Sequence, residues 1–202
     1  MPRGAYLHLG SGVTERFQCA PGPGGWRYVA DTEDGLHIDL TVDSRWLPIR
    51  LELRTRDWLV RGGLTGPELL WLRSPATGAP PLDAVEQTTE HAVRAHGFHA
   101  DSPAMLIAVA RSLRLAPGGT ATVRLVSITG PSLAARTLDQ RWTLTDVTTH
   151  ETETAPLPVE RYEIAALDTG EIGHVHLAGD VVLEAPGIEL TTLESPPTLA
   201  TP

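Results

Sequence analysis

Two consecutive segments between residues 36 and 54 alternate apolar and polar side chains with a period of two. Because successive side chains of an extended chain point to opposite faces, this alternation predicts two half-buried β-strands. Residues 26–31 and 57–61 flank them and are also strand-like, so we expect an antiparallel meander of three or four strands. The apolar positions are Leu36, Ile38, Leu40 and Val42 in the first segment and Leu47, Ile49, Leu51 and Leu53 in the second.

One helix is predicted to begin after Ser102. Serine is a favourable N-cap, and Pro103 suits the first helical position because the amide hydrogen that proline lacks would have no partner there. A helix of about three turns among so many strands is expected to lie across one face of a sheet. Its apolar face comprises Met105, Leu106, Val109, Ala110 and Leu113, and the turn Pro117-Gly118-Gly119 follows.

The second half of the chain returns to strand-like segments separated by turns. With the N-terminal meander, they predict a mainly β protein: a curved antiparallel sheet or half-barrel of about nine strands wrapped around one central helix. Residues 1–25 are expected to be a turn-rich lead-in, residues 26–194 a single domain and residues 195–202 a flexible tail. Residues 83–95 predict a helix or an ordered loop. The strands predicted in this half are Thr120–Thr129, Leu138–Thr149, Val159–Ala166, His174–Glu184 and Ile188–Leu193.

The charged residues and the single cysteine exclude several functions. All 16 basic residues are arginine, and 25 acidic residues give a formal net charge of −9, which argues against nucleic-acid partners and polybasic membrane contacts. The absence of lysine excludes a Schiff-base or P-loop lysine. Cys19 alone can form neither an internal disulfide nor a multi-thiolate zinc site. No apolar run reaches the ~18–20 residues of a membrane span and no signal peptide is evident, so a cytoplasmic location is expected.

One local pattern predicts a metal site. His174 and His176 stand two residues apart on a predicted strand, so both project from one face, and Asp180 is expected on that face as well. The spacing resembles the first metal motif of the cupins, although that motif usually carries Glu where this chain has Asp180, and no histidine follows His176. The alternative is a pair of solvent-facing histidines. The remaining clustered histidines, His91, His96 and His99, are expected to be solvated loop residues.

The segment from Ser102 onward resembles a family described as glycolipid-binding. The resemblance rests on the Ser102-Pro103 start, the Arg111-Ser112-Leu113-Arg114 helix end, the Gly118-Gly119 turn and Gln140-Arg141-Trp142-Thr143. Tyr162, Ala178-Gly179-Asp180 and Pro186-Gly187 extend it to about residue 187. It implies a curved antiparallel sheet around a helix, similar to bacterial lipoprotein carriers, with an apolar cleft for acyl chains. It implies no catalytic residue.

These observations favour non-catalytic binding of an apolar, lipid-like molecule in a cleft between sheet and helix. Tryptophan often lines such cavities, so Trp58, Trp71 and Trp142 are predicted for the wall. Arg141 and Arg161 are predicted at the rim, where they would meet an anionic head group, and no cofactor is expected. Two alternatives stay open. One is a small barrel enzyme with a divalent transition metal on His174, His176 and Asp180, and the other is a structural or partner-binding module without a pocket.

Overall fold

The computed structural model describes residues 1–22, 24–76, 88–153 and 155–199, which form a mainly β fold with one helix, α1 (Pro103–Leu113). As predicted, the sheet is curved and almost entirely antiparallel, with one helix. The strands are β1 (Arg3–His8), β2 (Val13–Gly22), β3 (Gly25–Thr32), β4 (His37–Asp43), β5 (Pro48–Arg54), β6 (Trp58–Thr65), β7 (Glu68–Pro75), β8 (Thr89–Val93), β9 (Gly97–His99), β10 (Thr120–Thr129), β11 (Ala134–His150), β12 (Leu157–Ala166), β13 (Ile172–Ala178), β14 (Val181–Ala185) and β15 (Ile188–Leu193).

All fifteen strands belong to one sheet in the order β8-β7-β6-β5-β4-β3-β2-β1-β15-β14-β13-β12-β11-β10-β9. Two meanders therefore meet where β1 pairs with β15, and among the described strands only the β9–β10 pair is parallel. The two edge strands, β8 and β9, follow each other in the chain. Since only residues 94–96 separate them, the chain can span no more than about 14 Å there. The sheet must therefore curl until its two edges come close together.

The expected strand count of about nine is too low. Residues 1–25, expected to be a turn-rich lead-in, form β1, β2 and the first residue of β3, all in the same sheet as the rest. The segment His174–Glu184, expected to be one strand, is divided into β13 and β14 by a turn at Gly179, whose φ of +54° reverses the chain. Of residues 83–95, Thr89–Val93 is β8, and the part before residue 88 lies outside the described residues.

The helix begins as predicted and fills the centre of the concave face. The Ser102 hydroxyl accepts a hydrogen bond from the amide of Ala104, and Arg114 ends the helix in a left-handed conformation. Seven helix residues are buried, and all of them except Pro103 share one apolar core with the inward side chains of the sheet. They are Pro103, Ala104, Met105, Ile107, Ala108, Val109 and Ala110. The described residues contain no helix that is long and apolar enough to cross a membrane.

Candidate functional site

A fully buried carboxylate joins the helix to three strands at the N-terminal end of α1. Glu15 on β2 is 0% exposed. Its Oε1 accepts hydrogen bonds from the Tyr28 hydroxyl at 2.7 Å and the Ser102 hydroxyl at 2.9 Å, and its Oε2 lies 2.9 Å from Nε2 of His8. A buried carboxylate is costly without partners, so these three contacts explain how the sequence tolerates Glu15 in the core.

The environment of Glu15 changes the protonation of its neighbours. The hydrogen bond to Glu15 raises the pKa of His8, while partial burial acts in the opposite direction. Burial, reinforced by the charge of Glu15, raises the pKa of Tyr28 well above its ordinary value, so the phenol stays protonated and donates. His8 is the member of this group with access to solvent, since 14% of its side chain is exposed.

Beside this group lies an opening between the helix and the second meander, which we call the Leu106 cleft. It has a volume of about 250 Å³. Leu106 projects into it from the helix, facing apolar side chains of the sheet. The apolar lining is Ala100, Leu106, Ile164, Ala166, Val175, Pro186 and Ile188, and the remaining lining is His99, Asp101, Ser102, Gln140, Glu171 and Gly173.

Two polar side chains of the Leu106 cleft are held in place by the protein. Nδ1 of His99 lies 3.1 Å from the Ser127 hydroxyl, and Oε1 of Gln140 accepts a hydrogen bond from Nε1 of Trp142 at 2.9 Å. Burial lowers the pKa of His99, so its imidazole is neutral at pH 7. His99 was expected to be a solvated loop residue, and the structure shows instead a largely buried residue on edge strand β9. The cleft thus presents hydrogen-bonding groups next to an apolar wall.

A second opening, the Trp46 cleft, lies at the C-terminal end of α1 and has a volume of about 430 Å³. Trp26 and Trp46 line it with ring centroids 5.3 Å apart. Its floor contains Asp180, which is 2% exposed. Further lining comes from Pro21, Gly22, Gly24, Gly25, Asp43, Ser44, Arg111, Gly179, Thr198 and Leu199.

A third opening, the Asp34 cleft, lies on the other side of the Glu15 group. Its volume is also about 430 Å³, and His8 reaches it together with Asp34, Asp57, Asp101 and Arg56. Aspartates outnumber arginine three to one among the side chains that line it. The helix N-terminus therefore stands between two openings of different character, because Asp101 borders both the Leu106 cleft and the Asp34 cleft.

The structure does not bring the three predicted wall tryptophans together. Trp142 is 1% exposed and packs edge-on against Tyr162 with ring centroids 5.8 Å apart, so it supports the Leu106 cleft through Gln140 and offers no surface itself. Trp71 stacks on His91 at 5.1 Å near edge strand β8. Trp58 lies at the start of β6, where the Arg73 guanidinium covers its ring at 3.2 Å.

The two arginines predicted for the rim lie on the outer face of the sheet. Arg141 is exposed between two buried neighbours, Gln140 and Trp142, so its side chain points away from the helix. Arg161 is exposed in the same way on β12, next to buried Tyr162. Among the described residues that line the Leu106 cleft, none is an arginine.

The three predicted metal ligands also lie apart. His174 and His176 point to the outer face, where Nδ1 of His176 lies 3.0 Å from Glu184. Asp180 follows the turn at Gly179 and points inward, accepting hydrogen bonds from Nε1 of Trp26 at 3.2 Å and the Thr198 amide at 2.6 Å. The described residues contain no group of three or more His, Cys, Asp or Glu side chains arranged to hold a metal ion.

The sequence predicted only some of the residues that line the clefts. Trp26 and Trp46 are two of five tryptophans, and nothing in their local pattern separates them from the three chosen for the wall. Glu15 gave no signal, because a carboxylate in an inward position interrupts the alternation that reveals a strand. The order of strands in the sheet places β2 beside the helix N-cap, and this order cannot be predicted from the local sequence pattern.

Comparison with known proteins yields a single distant fold likeness. The crystal structure of a DUF1089 family protein from Pseudomonas aeruginosa is similar to this chain with a TM-score of 0.48 and 19% sequence identity, over 86% of this chain and 89% of that chain. No protein-family model matches the chain, and no curated protein matches it either.

Proposed function

We propose that this protein binds an apolar, lipid-like small molecule in the Leu106 cleft without catalysing a reaction. The observation that carries the proposal is the cleft itself, which lies between Leu106 of the helix and Ile164 and Val175 of the sheet. Small-molecule sites are typically concave and mostly apolar, with a few polar groups that orient the ligand. The Leu106 cleft combines an apolar wall with polar groups that could orient a ligand.

The size of the cleft limits the ligand. Its volume of about 250 Å³ is a little below the ~300–1,000 Å³ of common ligand pockets. It therefore accommodates a short acyl segment and not a complete two-chain lipid. Each methylene removed from water contributes about 0.8 kcal/mol, so a segment of about five carbons gains roughly 4 kcal/mol, which corresponds to a dissociation constant of about 1 mM.

The charges of the lining residues also restrict the charge that the polar end of the ligand can carry. Gln140 and neutral His99 offer hydrogen bonds, whereas Asp101 and Glu171 carry negative charge. Arg141 and Arg161, expected to meet an anionic head group, lie on the outer face instead. We therefore propose an uncharged polar end, because a carboxylate placed between Asp101 and Glu171 would be repelled.

The test is an NMR titration with hexanoic acid and with its uncharged methyl ester, both short enough for the cleft. We expect the ester to bind more tightly, and native mass spectrometry of protein purified from cells to show a co-purifying lipid. Leu106→Trp fills the cleft and should lower the affinity for the ester at least tenfold. Leu113→Trp is the matched control, since Leu113 is a half-buried leucine of the same helix outside the cleft.

Two results would count against this function. The first is an absence of both probe binding and co-purifying lipid, which would favour a structural or partner-binding module. The second is equal weakening of binding by Leu106→Trp and Leu113→Trp, which would place the probe elsewhere. Elemental analysis of the same preparation addresses the metal-dependent alternative, because one equivalent of a transition metal would favour it.

A further inference from the structure

Trp46 is held in an unusual backbone conformation beside the Trp46 cleft. Its φ is +66°, in the left-handed region that glycine adopts easily and a bulky side chain disfavours. The turn between β4 and β5 enforces it. The Trp46 amide donates to the Asp43 carbonyl at 2.9 Å, and the Asp43 side chain accepts from the amides of Arg45 and Leu47.

This conformation determines where the indole lies. The Trp46 side chain packs against Trp26 and lines both the Trp46 cleft and a narrow apolar crevice along the helix that includes Leu40 and Met105. Glycine would satisfy the turn without strain but would leave this wall open. Residues in sparsely populated backbone regions concentrate at functional sites, where the strain positions a side chain.

The charged groups of the Trp46 cleft already have partners within the protein. Both oxygens of Asp180 accept hydrogen bonds, from Trp26 and Cys19 on one side and from the Thr198 amide on the other. Arg111 donates two hydrogen bonds to the Glu160 carboxylate and two to the Gly179 carbonyl. A charged ligand would have to displace these contacts, whereas an uncharged one leaves them intact.

We infer that the Trp46 cleft is a second ligand site, which takes an uncharged, flat aromatic molecule stacked beside Trp46. Aromatic rings in offset or edge-on contact gain affinity beyond the area they bury. The volume of about 430 Å³ lies within the range of small-molecule pockets and suits a compound of two or three fused rings. This site is independent of the Leu106 cleft, because the two lie at opposite ends of the helix and share no lining residue.

The test uses Nile red, an uncharged planar dye, titrated by fluorescence into the intact chain. We expect one equivalent to bind, with at least tenfold weaker binding to Trp46→Ala and binding within threefold of the parent for Trp46→Phe, which keeps a ring. The anionic dye 1-anilinonaphthalene-8-sulfonate should bind more weakly than Nile red. The cleft-filling variant Leu106→Trp should leave the Nile red affinity unchanged.

A second variant keeps the test valid if Trp46→Ala does not fold. Ser44 is exposed and lines the cleft, so Ser44→Trp should block it without touching the core, while Arg45→Ala on the same turn should not. The inference is wrong if the parent does not bind Nile red, if the cleft variants bind it as the parent does, or if Leu106→Trp removes its binding. In the last case the dye occupies the Leu106 cleft, and the proposed function stands alone.

Discussion

The Ser102 hydroxyl donates a hydrogen bond to the Glu15 carboxylate at 2.9 Å, linking the helix N-cap to a strand 87 residues earlier in the chain. The same hydroxyl accepts from the Ala104 amide, so one side chain both caps the helix and attaches it to the sheet. The other charged contact of the helix, Arg111 with Glu160 and the Gly179 carbonyl, lies near its C-terminal end. Without the Ser102–Glu15 bond, the N-terminal end would depend on apolar packing, which has little directional preference. The Ser102–Glu15 pair therefore sets where the helix N-terminus stands between two clefts.

Replacing Glu15 with glutamine should destabilise the fold strongly. The amide keeps the shape of the carboxylate, and its one oxygen can still accept from Tyr28 and Ser102. All three contacts lose the negative charge, and a donating NH2 group faces His8 where Oε2 accepted. We expect the free energy of unfolding to fall by about 3 kcal/mol in urea titrations. Glu189→Gln, on an exposed position of β15, is the control and should change it by less than about 0.5 kcal/mol. Equal effects of the two variants would contradict the role assigned to Glu15.

The position of the helix in the sequence could be predicted, whereas its placement on the sheet could not. Ser102 and Pro103 are local signals, and the helix begins where they predict. Strand β2 lacks such a signal because its inward positions are Glu15, Phe17 and Cys19, and a carboxylate among them hides the period of two. The pairing of β1 with β15 joins the two meanders in the middle of the sheet, and no local pattern encodes a contact between strands so far apart in the sequence.

The stability contributed by His8 should depend on pH with a defined sign. Its pKa in the folded protein is raised above the ordinary value of 6.5, chiefly by the hydrogen bond to Glu15. The folded state therefore binds this proton more tightly than the unfolded chain, so the contribution is complete below about pH 6.5 and is lost as pH rises through the raised pKa. We expect the stability difference between the parent and His8→Gln, measured by urea unfolding, to be larger at about pH 6 than at about pH 9.

His174→Gln provides the comparison for His8, because His174 is exposed on the outer face of β13. Within the described part of the chain, the His174 side chain has no hydrogen bond or ion pair, so this variant should change the free energy of unfolding little at either pH. Proton NMR titration of the imidazoles measures the effect directly, and His8 should titrate above 6.5 while His99 titrates below it, since burial lowers the pKa of His99. A His8 titration at or below 6.5 would refute the assignment.

The candidate site could be anticipated only in outline. The predicted architecture implies an apolar cleft between sheet and helix. Which residues line the cleft depends on which side of each strand faces the helix, and the sequence did not predict this for every strand. Asp180 illustrates the difficulty: uninterrupted alternation from His174 would put it on the outer face, whereas the turn at Gly179 turns it inward. A single positive φ thus changes the partners of a carboxylate, from two histidines to Trp26 and Thr198.

Substituting Gly179 should release the C-terminal segment. At this position a Cβ atom would collide with the carbonyl oxygen of Thr198, whose amide donates to Asp180 at 2.6 Å. We expect Gly179→Ala to accelerate hydrogen exchange of the Thr198 amide and to lower stability by more than the ~1 kcal/mol cost of a positive φ. Gly187→Ala is the matched control, since its φ is +73° with no atom near the added Cβ. Unchanged exchange at Thr198 in Gly179→Ala would exclude this contact.

The backbone strain at Trp46 can be measured separately from its side-chain contacts. Trp46→Ala and Trp46→Gly remove the same packing against Trp26, but only alanine keeps a Cβ in the left-handed region. We expect the glycine variant to be more stable than the alanine variant by about 1 kcal/mol in urea unfolding, and both to bind Nile red at least tenfold more weakly than the parent. At Ser44, whose φ is not positive, the order should reverse or vanish, because glycine there only adds flexibility to the unfolded chain. If alanine is as stable as glycine at position 46, the turn does not strain Trp46, and its placement at the cleft has no energetic cost.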